Sequence, residues 1–382
     1  MNTQDIINRF IELCRIPSPS LGERHTADYC SAILKRMGAE VREDGAGERV
    51  GGSAGNIVAR FQGRKNGIPP LMLNAHMDTV DPGGAIVPVI RDGRIISEGS
   101  TILGADNRAG LTMIIEGMKR VLDSGIATGD IEVVLTIGEE MGLEGAAHLD
   151  YSMISAKHGY SLDSSGLGRI VQGAPFYNAI DVSIQGRRAH AAVNADQGIN
   201  SIEVMARGLS RLVFGRLDHE STANIGKIAG GTARNVVPSD CTAVLEMRSH
   251  NAAKLDFYTA NVTKVFLDET RGWCVEVEGR EFRPVVDVAV HRECHGFLLD
   301  PESPVIQCAM KALELTGRNP DLYRNMGGSD ANVFNFRGIE TAVVGTGQTA
   351  VHSAEEYIEI EDLTDGVRLV PTIIQQWIDW WS

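Results

Sequence analysis

Residues 71–80 form the run LMLNAHMDTV, which is apolar at first and then contains a histidine and an aspartate. The apolar start predicts a strand in a sheet that is covered on both sides. Side chains alternate along a strand, so His76 and Asp78 are expected on the same face. Polar residues at the carboxyl end of such a strand are typical of the sites of α/β proteins. This segment therefore predicts both the sheet and the position of a functional site.

Strands and helices alternate on either side of this segment. We interpret NIVARFQ (56–62), DIEVVLTIGEE (130–140) and HGYSLDSSG (158–166) as strands, and ADNRAGLTMIIEGMKRVLDSG (105–125) as a long helix. Alternation of this kind indicates the α/β class. The predicted fold is a mixed sheet covered by helices, with its site along one edge.

The pattern changes near residue 174 and changes back near residue 297. YNAIDVSIQGRRAH (177–190) alternates, and TANIGKIAGGTARNVVPSDCTAVLEMRSH (222–250) predicts two paired strands. The intervening segments have helical periodicity, so this block is interpreted as an α+β unit inserted into the α/β domain. The predicted domains are a metal-binding catalytic domain formed by 1–173 and 297–382, and an inserted domain formed by 174–296.

Composition excludes several classes of protein. The chain has 382 residues, 43% of them hydrophobic and 23% charged, which is ordinary for a globular protein of two domains. A formal net charge of -14 argues against nucleic acid or an anionic membrane surface as a partner. No apolar run approaches the roughly 20 residues that a membrane helix needs. Six scattered cysteines and an N-terminal segment without a signal pattern lead us to expect a cytoplasmic protein.

Side chains that can bind metal occur at five separated places. Each has an ordinary structural explanation when taken alone: a hydrogen-bonded histidine, a helix N-cap, a solvated acidic pair or a turn. Their joint occurrence at predicted strand ends and in Gly-rich loops favours a divalent metal site, and the mixture of imidazole and carboxylate favours zinc. The candidates are His76 with Asp78, Asp106 in GADNRAG, Glu139 and Glu140 in TIGEEMG, Asp163 in SLDSSG, and His352 in GQTAVHSAEEY.

The same segments resemble a known family, the co-catalytic dinuclear zinc aminoacylases and peptidases, which includes peptidase T, carboxypeptidase G, acetylornithine deacetylase and carnosinase. The resemblance extends over about residues 70 to 360, in the order found in the family. The matching strings are NAHMDTV, LGADNRAG, TIGEEMGLEGA, SLDSSG, GRRAHAA, GGSDAN and VHSAEEY.

The resemblance implies a site with two divalent ions per subunit, zinc in the first place and Co²⁺ or Mn²⁺ as alternatives. It also implies a role for each candidate. Asp106 bridges the ions, His76 and Asp163 complete one ligand set, Glu140 and His352 complete the other, Glu139 is the general base, and Asp78 orients His76.

General chemistry agrees with these implied roles. Two ions roughly 3.5–4 Å apart can share a water and lower its pKa to about 7, which generates a bridging hydroxide. A carboxylate that binds no metal must accept the proton of that water and pass it to the leaving nitrogen. Glu139 and Glu140 can divide these tasks, because neighbouring side chains on an extended chain point apart.

The inserted domain is expected to act as a lid and a dimerisation domain. GRRAHAAVNADQGINSI resembles the family's lid segment, whose histidine reaches the active site of the partner subunit, and His190 is the match. The protein is therefore expected to be a homodimer. Asn235 and Arg248 resemble substrate-facing residues, and an arginine fork matches a substrate carboxylate. Gly328 and Ser329 in GGSDAN are expected near the substrate backbone, although a Gly turn followed by a helix N-cap explains this string equally well.

In having an aspartate at position 163, the chain resembles the family members that act on peptides with a free amino terminus, such as peptidase T. Where peptidase T has an acid before the two glutamates, this chain has Gly138. The expected function is metal-dependent hydrolysis of small peptides that releases the N-terminal amino acid. Three alternatives remain open: an N-acyl amino acid deacylase, a metal-containing binding protein without turnover, and a structural dimerisation module.

Overall fold

The computed structural model describes residues 2–382, which form two compact units. The first unit contains the chain up to Gly173 together with Leu298–Ser382, and the second unit contains Ala174–Phe297. In chain order, the first segment contains α1 (Thr3–Cys14), α2 (Arg24–Arg36), β1 (Glu40–Glu43), α3 (Ala46–Val50), β2 (Ile57–Phe61), β3 (Leu71–His76), β4 (Pro88–Arg91), β5 (Arg94–Ser97), α4 (Ala105–Ser124), β6 (Ile131–Thr136), α5 (Glu144–His148), β7 (His158–Ser164) and β8 (Arg169–Ala174).

The remaining elements follow in the same order. Those that begin in the second unit are β9 (Phe176–Gln185), β10 (Ala189–His190), α6 (Ser201–Ser210), β11 (Gly215–Arg216), β12 (Ser221–Gly230), β13 (Val236–Val237), β14 (Asp240–Ser249), α7 (Ala252–Arg271), β15 (Val275–Val277), β16 (Arg280–Phe282), β17 (Val285–Cys294) and β18 (Phe297–Leu298). The last segment contains α8 (Pro304–Leu315), β19 (Asp321–Arg324), α9 (Asp330–Phe336), β20 (Glu340–Gly345), β21 (Gln348–Thr349), β22 (Tyr357–Glu359) and α10 (Ile360–Trp381).

The sheet of the first unit is mixed, and its central strands are parallel. β3 pairs in parallel with β6 on one side and with β7 on the other, while β20 runs parallel to β7. β2 pairs antiparallel with β6, and β8 pairs antiparallel with β20. Because β3, β6 and β7 run in one direction, their carboxyl ends meet at one edge of the sheet.

Helices cover this sheet. All six residues of β3 and all six of β6 are buried, so side chains on both faces of these strands are covered. α4 contacts β3 and β7 and also packs against α1 and α10. At Gly110 of α4 an added Cβ would lie 2.3 Å from the carbonyl oxygen of Leu162, so only glycine permits this approach of helix to strand.

The second unit is an α+β structure built on an antiparallel sheet. β12 pairs with β14, β14 with β9, and β9 with β17, and α6 and α7 pack on this sheet. The predicted pair of strands within 222–250 corresponds to β12 and β14. The α/β fold class with an inserted α+β domain is confirmed. Within residues 2–382, no helix combines the length and the apolar character that crossing a membrane requires.

Candidate metal centre

The carboxyl ends of the three parallel strands bring the predicted ligands together. His76 is the last residue of β3, and Asp163 is the next-to-last residue of β7. Asp106 lies at the start of α4, where it and Asn107 have non-helical backbone angles. His352 arrives from a turn before β22 and has a left-handed backbone with φ of 62°. A non-glycine residue in this conformation costs free energy, and such residues are concentrated at functional sites.

Asp106 lies between the two histidines and presents one carboxylate oxygen to each. Its Oδ1 is 3.0 Å from Nε2 of His76, and its Oδ2 is 3.4 Å from Nε2 of His352. Asp163 is the second carboxylate beside His76, at 3.5 Å from Nε2. Glu140 is the second carboxylate beside His352, at 2.8 Å from Nε2. The five side chains therefore form two groups, here called half-sites, that share Asp106. Metal binding by each half-site stays a prediction.

The spacing of these atoms fits a divalent ion in each half-site. Zinc bonds of about 2.1 Å at a tetrahedral angle place two ligand atoms roughly 3.4 Å apart. The four nitrogen–oxygen separations lie between 2.8 and 3.5 Å. Across the two halves, ligand atoms of His76, Asp106 and Glu140 all lie within 4.8 Å of one another. The donor set, two imidazole nitrogens and three carboxylates, suits zinc and related ions.

Asp78 connects the histidine ligand to the glutamate loop. Nδ1–H of His76 donates to its Oδ1 at 3.2 Å, which leaves Nε2 directed at the metal side. The backbone N–H groups of Glu139 and Glu140 donate to Oδ1 and Oδ2 at 3.1 and 3.2 Å, and the Ser20 hydroxyl donates at 2.7 Å. The side chain of Asp78 is fully buried. One carboxylate thus orients the imidazole and the loop that carries the proposed base.

The expectation that Glu139 and Glu140 lie on extended chain is wrong. β6 ends at Thr136, and the two glutamates form a single 3-10 turn, Glu139–Met141. Gly138 and Gly142 flank this turn with φ of 54° and 97°, values that glycine adopts without strain. Hydrogen bonds to two carboxylates hold the turn in place. One is Asp78, and the other is Glu23, whose Oε1 accepts the N–H of Gly138 at 2.9 Å. The two side chains still point apart. Glu140 faces His352, whereas Glu139 is not part of the cluster that His76, Asp106 and Glu140 form among the described residues.

Burial and neighbouring negative charges raise the pKa values of two carboxyl groups in this site. Burial, with the charges of Asp163, Asp330 and Glu140, raises the pKa of Glu139 well above its usual value, although His76 opposes the shift. Burial and the charge of Asp106 raise the pKa of Asp163 to about 7, again against the influence of His76. The binding of a cation in place of these protons is therefore favourable.

The pKa values of the two histidines are raised as well, because carboxylates surround their rings. Hydrogen bonds to Asp106 and Glu140 raise the pKa of His352 to about 10. Burial disfavours the charged form of His76, yet Asp163, Asp106 and Asp78 together raise its pKa well above the usual value. In each case the proton occupies the position that a metal ion takes on a ligand.

A cavity of about 360 Å³ lies beside these ligands, within the first unit. Gly328 lines this cavity, and its contact with the substrate stays a prediction. Ser329 is buried and is the N-cap of α9, where it forms a capping box with Asn332. The lining residues are Asp106, Glu139, Glu140, Asp163, Ser164, Ser165, Arg169, Tyr323, Asn325, Gly327, Gly328, Gln348, Val351 and His352.

Several residues that support the site were missed by sequence reasoning. Glu356 accepts the N–H of Asp106 at 3.0 Å and that of Gly104 at 2.7 Å, and burial raises its pKa to about 7. Arg108 is buried and donates to the carbonyl of Met77 at 2.6 Å, directly after His76. Asp330 accepts hydrogen bonds from Thr136 and Asn74 beneath the strand ends. Glu356, Arg108 and Asp330 all lie inside the matching strings, and only these positions could have drawn attention to them.

The remaining candidates lie in the second unit. His190 is exposed, and its Nδ1 accepts the N–H groups of Ala192 and Val193 at 3.2 and 3.3 Å. The carbonyl of Asn235 accepts the N–H of Ala191, so Asn235 and His190 belong to one loop cluster. Arg248 lies near the end of β14, with its guanidinium 4.7 Å from the ring centre of Tyr177. The roles of these three residues stay predictions.

Known proteins resemble this chain over almost its entire length. It is 34% identical to the uncharacterized protein YqjE of Bacillus subtilis over 98% of this chain and 99% of that protein. The crystal structure of aminopeptidase PepT from Bacillus cereus matches with a TM-score of 0.91 and 35% identity, covering 99% of both chains. A tripeptidase from Staphylococcus aureus matches with a TM-score of 0.92 and 32% identity, covering 98% of both chains.

The family comparison agrees with these structures and with the resemblance in the motifs. The model of peptidase family M20/M25/M40 matches residues 72–376, which include every predicted metal ligand. The match covers most of the chain, and a metal-binding constellation occupies the edge of its sheet. The chain belongs to peptidase family M20/M25/M40, and it is a metallopeptidase.

Proposed function

We propose that the protein is a dinuclear metal-dependent aminopeptidase that releases the N-terminal amino acid from small peptides. The observation that supports this most is the position of Asp106, which presents one oxygen to each half-site. Beside the shared ligand, Glu139 lines the same cavity and has a raised pKa. Similarity to an aminopeptidase and a tripeptidase, each more than 30% identical, favours peptides as substrates.

The ions are proposed to be two Zn²⁺ per subunit, with Co²⁺ or Mn²⁺ as substitutes. His76 and Asp163 would hold one ion, Glu140 and His352 would hold the other, and Asp106 would contact both. When bound, such ions supply Lewis acidity that polarises the scissile carbonyl and acidifies the attacking water. Two neutral imidazoles and three carboxylates carry a charge of −3, which two divalent ions more than balance.

Glu139 is proposed to carry the proton through the reaction. Its carboxylate accepts a proton from the attacking water as the water oxygen bonds to the carbonyl carbon of the peptide. The same proton then passes from Glu139 to the nitrogen as the carbon–nitrogen bond breaks. A raised pKa suits this task, because a carboxylate that binds a proton strongly is the better base. Asp78 holds the glutamate turn in place while this happens.

The second unit is proposed to complete the site. His190 would donate a hydrogen bond to the developing oxyanion from the partner subunit of a homodimer, while Asn235 and Arg248 would bind polar groups of the substrate. A cytoplasmic location is proposed as well, since all six cysteines are free thiols and five of them are buried. Light scattering tests the dimer, because a fully active monomer contradicts a role for His190 of a partner.

A substrate panel tests the proposed function. The zinc-loaded protein is incubated with di- and tripeptides that have free amino termini, with N-acetylated tripeptides and with N-acetyl amino acids, and products are identified by mass. We expect release of the first residue from unblocked peptides only. Hydrolysis of N-acetyl amino acids alone would show that the protein is a deacylase and not a peptidase. Binding of all substrates without turnover would indicate a binding protein.

A further inference from the structure

Arg169 brings a permanent positive charge into a cavity whose other charged groups are mostly acids. It is the first residue of β8 and lines the cavity together with Asp106, Glu139, Glu140 and Asp163. Among the lining residues, His352 is the other basic side chain, and it faces Glu140 and Asp106 at 2.8 and 3.4 Å. A substrate carboxylate that enters this cavity is attracted by the charge of Arg169.

The position of the guanidinium is determined by an aromatic ring. The Cζ of Arg169 lies 5.4 Å from the ring centre of Tyr323, within the range of a cation–π contact. The hydroxyl of Tyr323 is 2.8 Å from Oγ of Ser164, the residue that follows Asp163. β19 also pairs in parallel with β8, which places Tyr323 opposite Val171. The cation is therefore fixed relative to the strand that carries a metal ligand.

Among the described residues, no carboxylate lies within hydrogen-bond distance of the Arg169 guanidinium. The carboxylate paired with it is Asp321, whose Oδ2 is 3.8 Å from Nε. The two side chains are 48% and 66% exposed, and exposed pairs at such distances contribute little free energy. The two terminal nitrogens of the guanidinium form the fork that binds carboxylates in bidentate geometry. Within residues 2–382, no hydrogen bond uses that fork, so it is open to a ligand from the cavity.

We propose that Arg169, supported by Tyr323, binds a carboxylate of the peptide substrate and makes the enzyme selective for peptides that carry one. This specificity rests on the proposed peptidase function and adds a second cationic group to the one expected at Arg248. The carboxylate is either the free carboxyl terminus of a short peptide or an acidic side chain. A carboxyl-terminal assignment gives a physical basis for a preference for short peptides, since a longer chain would move its terminus out of reach.

Two substrate pairs distinguish the sources of the carboxylate. The first pair is trialanine and its C-terminal amide; the second is a tripeptide amide with Glu or Gln at its last position. For Arg169→Met we expect the kcat/KM of the carboxylate member of one pair to fall roughly 10- to 100-fold, mainly through KM, with little change for the neutral member. A lower kcat/KM for trialanine shows that Arg169 binds the carboxyl terminus of the substrate. A lower kcat/KM for the amide that ends in Glu shows that Arg169 binds an acidic side chain. Arg169→Lys should recover part of the loss.

Arg94 provides a matched control. Its guanidinium lies 4.4 Å from the ring centre of Tyr357 and its side chain is also 48% exposed, but it does not line the cavity. For Arg94→Met we expect the ratio of kcat/KM between the carboxylate member and the neutral member to be unchanged in both pairs. If Arg169→Met lowers the rates for acids and amides equally, or lowers neither, the inference is overturned while the peptidase function stands. If the unmodified enzyme hydrolyses none of the four peptides, the proposed function fails and the inference fails with it.

Discussion

Asp78 shows how one residue can serve two parts of a metal site. Its carboxylate accepts the imidazole N–H of His76 and two backbone N–H groups of the glutamate turn, and it is fully buried. These hydrogen bonds stabilise the ionised form and lower the pKa of Asp78, although burial opposes the shift. A charged acceptor of this kind holds His76 and the glutamate turn in one rigid arrangement before substrate arrives.

At the scale of the residue, Glu139→Gln separates proton transfer from metal binding. The variant keeps nearly the same shape but cannot accept a proton, so we expect kcat to fall by roughly 10²–10⁴-fold while the zinc content per subunit is unchanged. Tripeptide hydrolysis and metal analysis on the same samples give the two readouts. Glu144→Gln is the control, because Glu144 begins α5 and pairs with His148. Full activity, or loss of zinc, in Glu139→Gln would refute its assignment as the base.

At the scale of the element, the site depends on how closely α4 approaches β7. Asp106 is the second residue of α4, and Asp163 is the next-to-last residue of β7. The side-chain amide of Asn107 connects the two elements by donating to Leu162 O at 2.8 Å and to Asp163 at 3.1 Å. Gly110 permits this contact because an added Cβ would lie 2.3 Å from Leu162 O. A helix displaced by one methyl group would separate the shared ligand from its neighbour.

Gly110→Ala tests this dependence. The new methyl must push α4 away from β7, so we expect the free energy of unfolding to fall by about 1–3 kcal/mol and zinc affinity to fall with it. Gly45→Ala is the matched control, since an added Cβ at Gly45 meets nothing within 4 Å. Denaturant unfolding and zinc competition with a chromophoric chelator measure the two effects. Equal behaviour of the two variants would show that the close approach is unimportant.

At the scale of the whole molecule, the metal-free protein must keep several acids together in a buried place. The pKa of Asp163 and that of Glu356 are both raised to about 7, from ordinary values of 3.8 and 4.5. Each carboxyl therefore binds its proton more tightly in the folded protein than in the unfolded chain. The stabilisation from these protons is fully present below about pH 4 and is lost as pH rises through about 7.

Metal removal should expose this pH dependence. For protein treated with a chelator, we expect the free energy of unfolding to decrease between pH 5 and pH 8 by a few kcal/mol, on the order of 3. Zinc should restore stability at pH 8, because the ions take the place of the protons, and saturation at 100 times Kd adds about 2.7 kcal/mol. Asp163→Asn should show a shallower decline in the metal-free state. Urea unfolding measures all three, and a pH-independent metal-free protein would contradict the charge balance described.

Much of this protein follows from local patterns in its sequence. Apolar runs such as 71–76 predict strands because every side chain of a central strand must be buried. The proposed metal ligands are recognisable because their motifs occur together and in a fixed order, although each residue taken alone has an ordinary structural explanation. The change of pattern near residue 174 predicts an inserted unit for the same reason, since hydrophobic periodicity depends only on neighbouring residues.

Tertiary structure alone decided how those residues meet. The 3-10 turn at Glu139 depends on hydrogen bonds to Asp78 and Glu23, which lie about 60 and 115 residues earlier in the chain. Arg169 and Tyr323 share a cavity wall only because β8 and β19 pair across the sheet. Local sequence cannot specify such contacts, because their free energy arises when distant segments pack together. The sequence by itself determined the fold class and the candidate ligands. The packing of the sheet and helices determined the geometry and the pKa values of these residues, and it placed Arg169 in the same cavity wall.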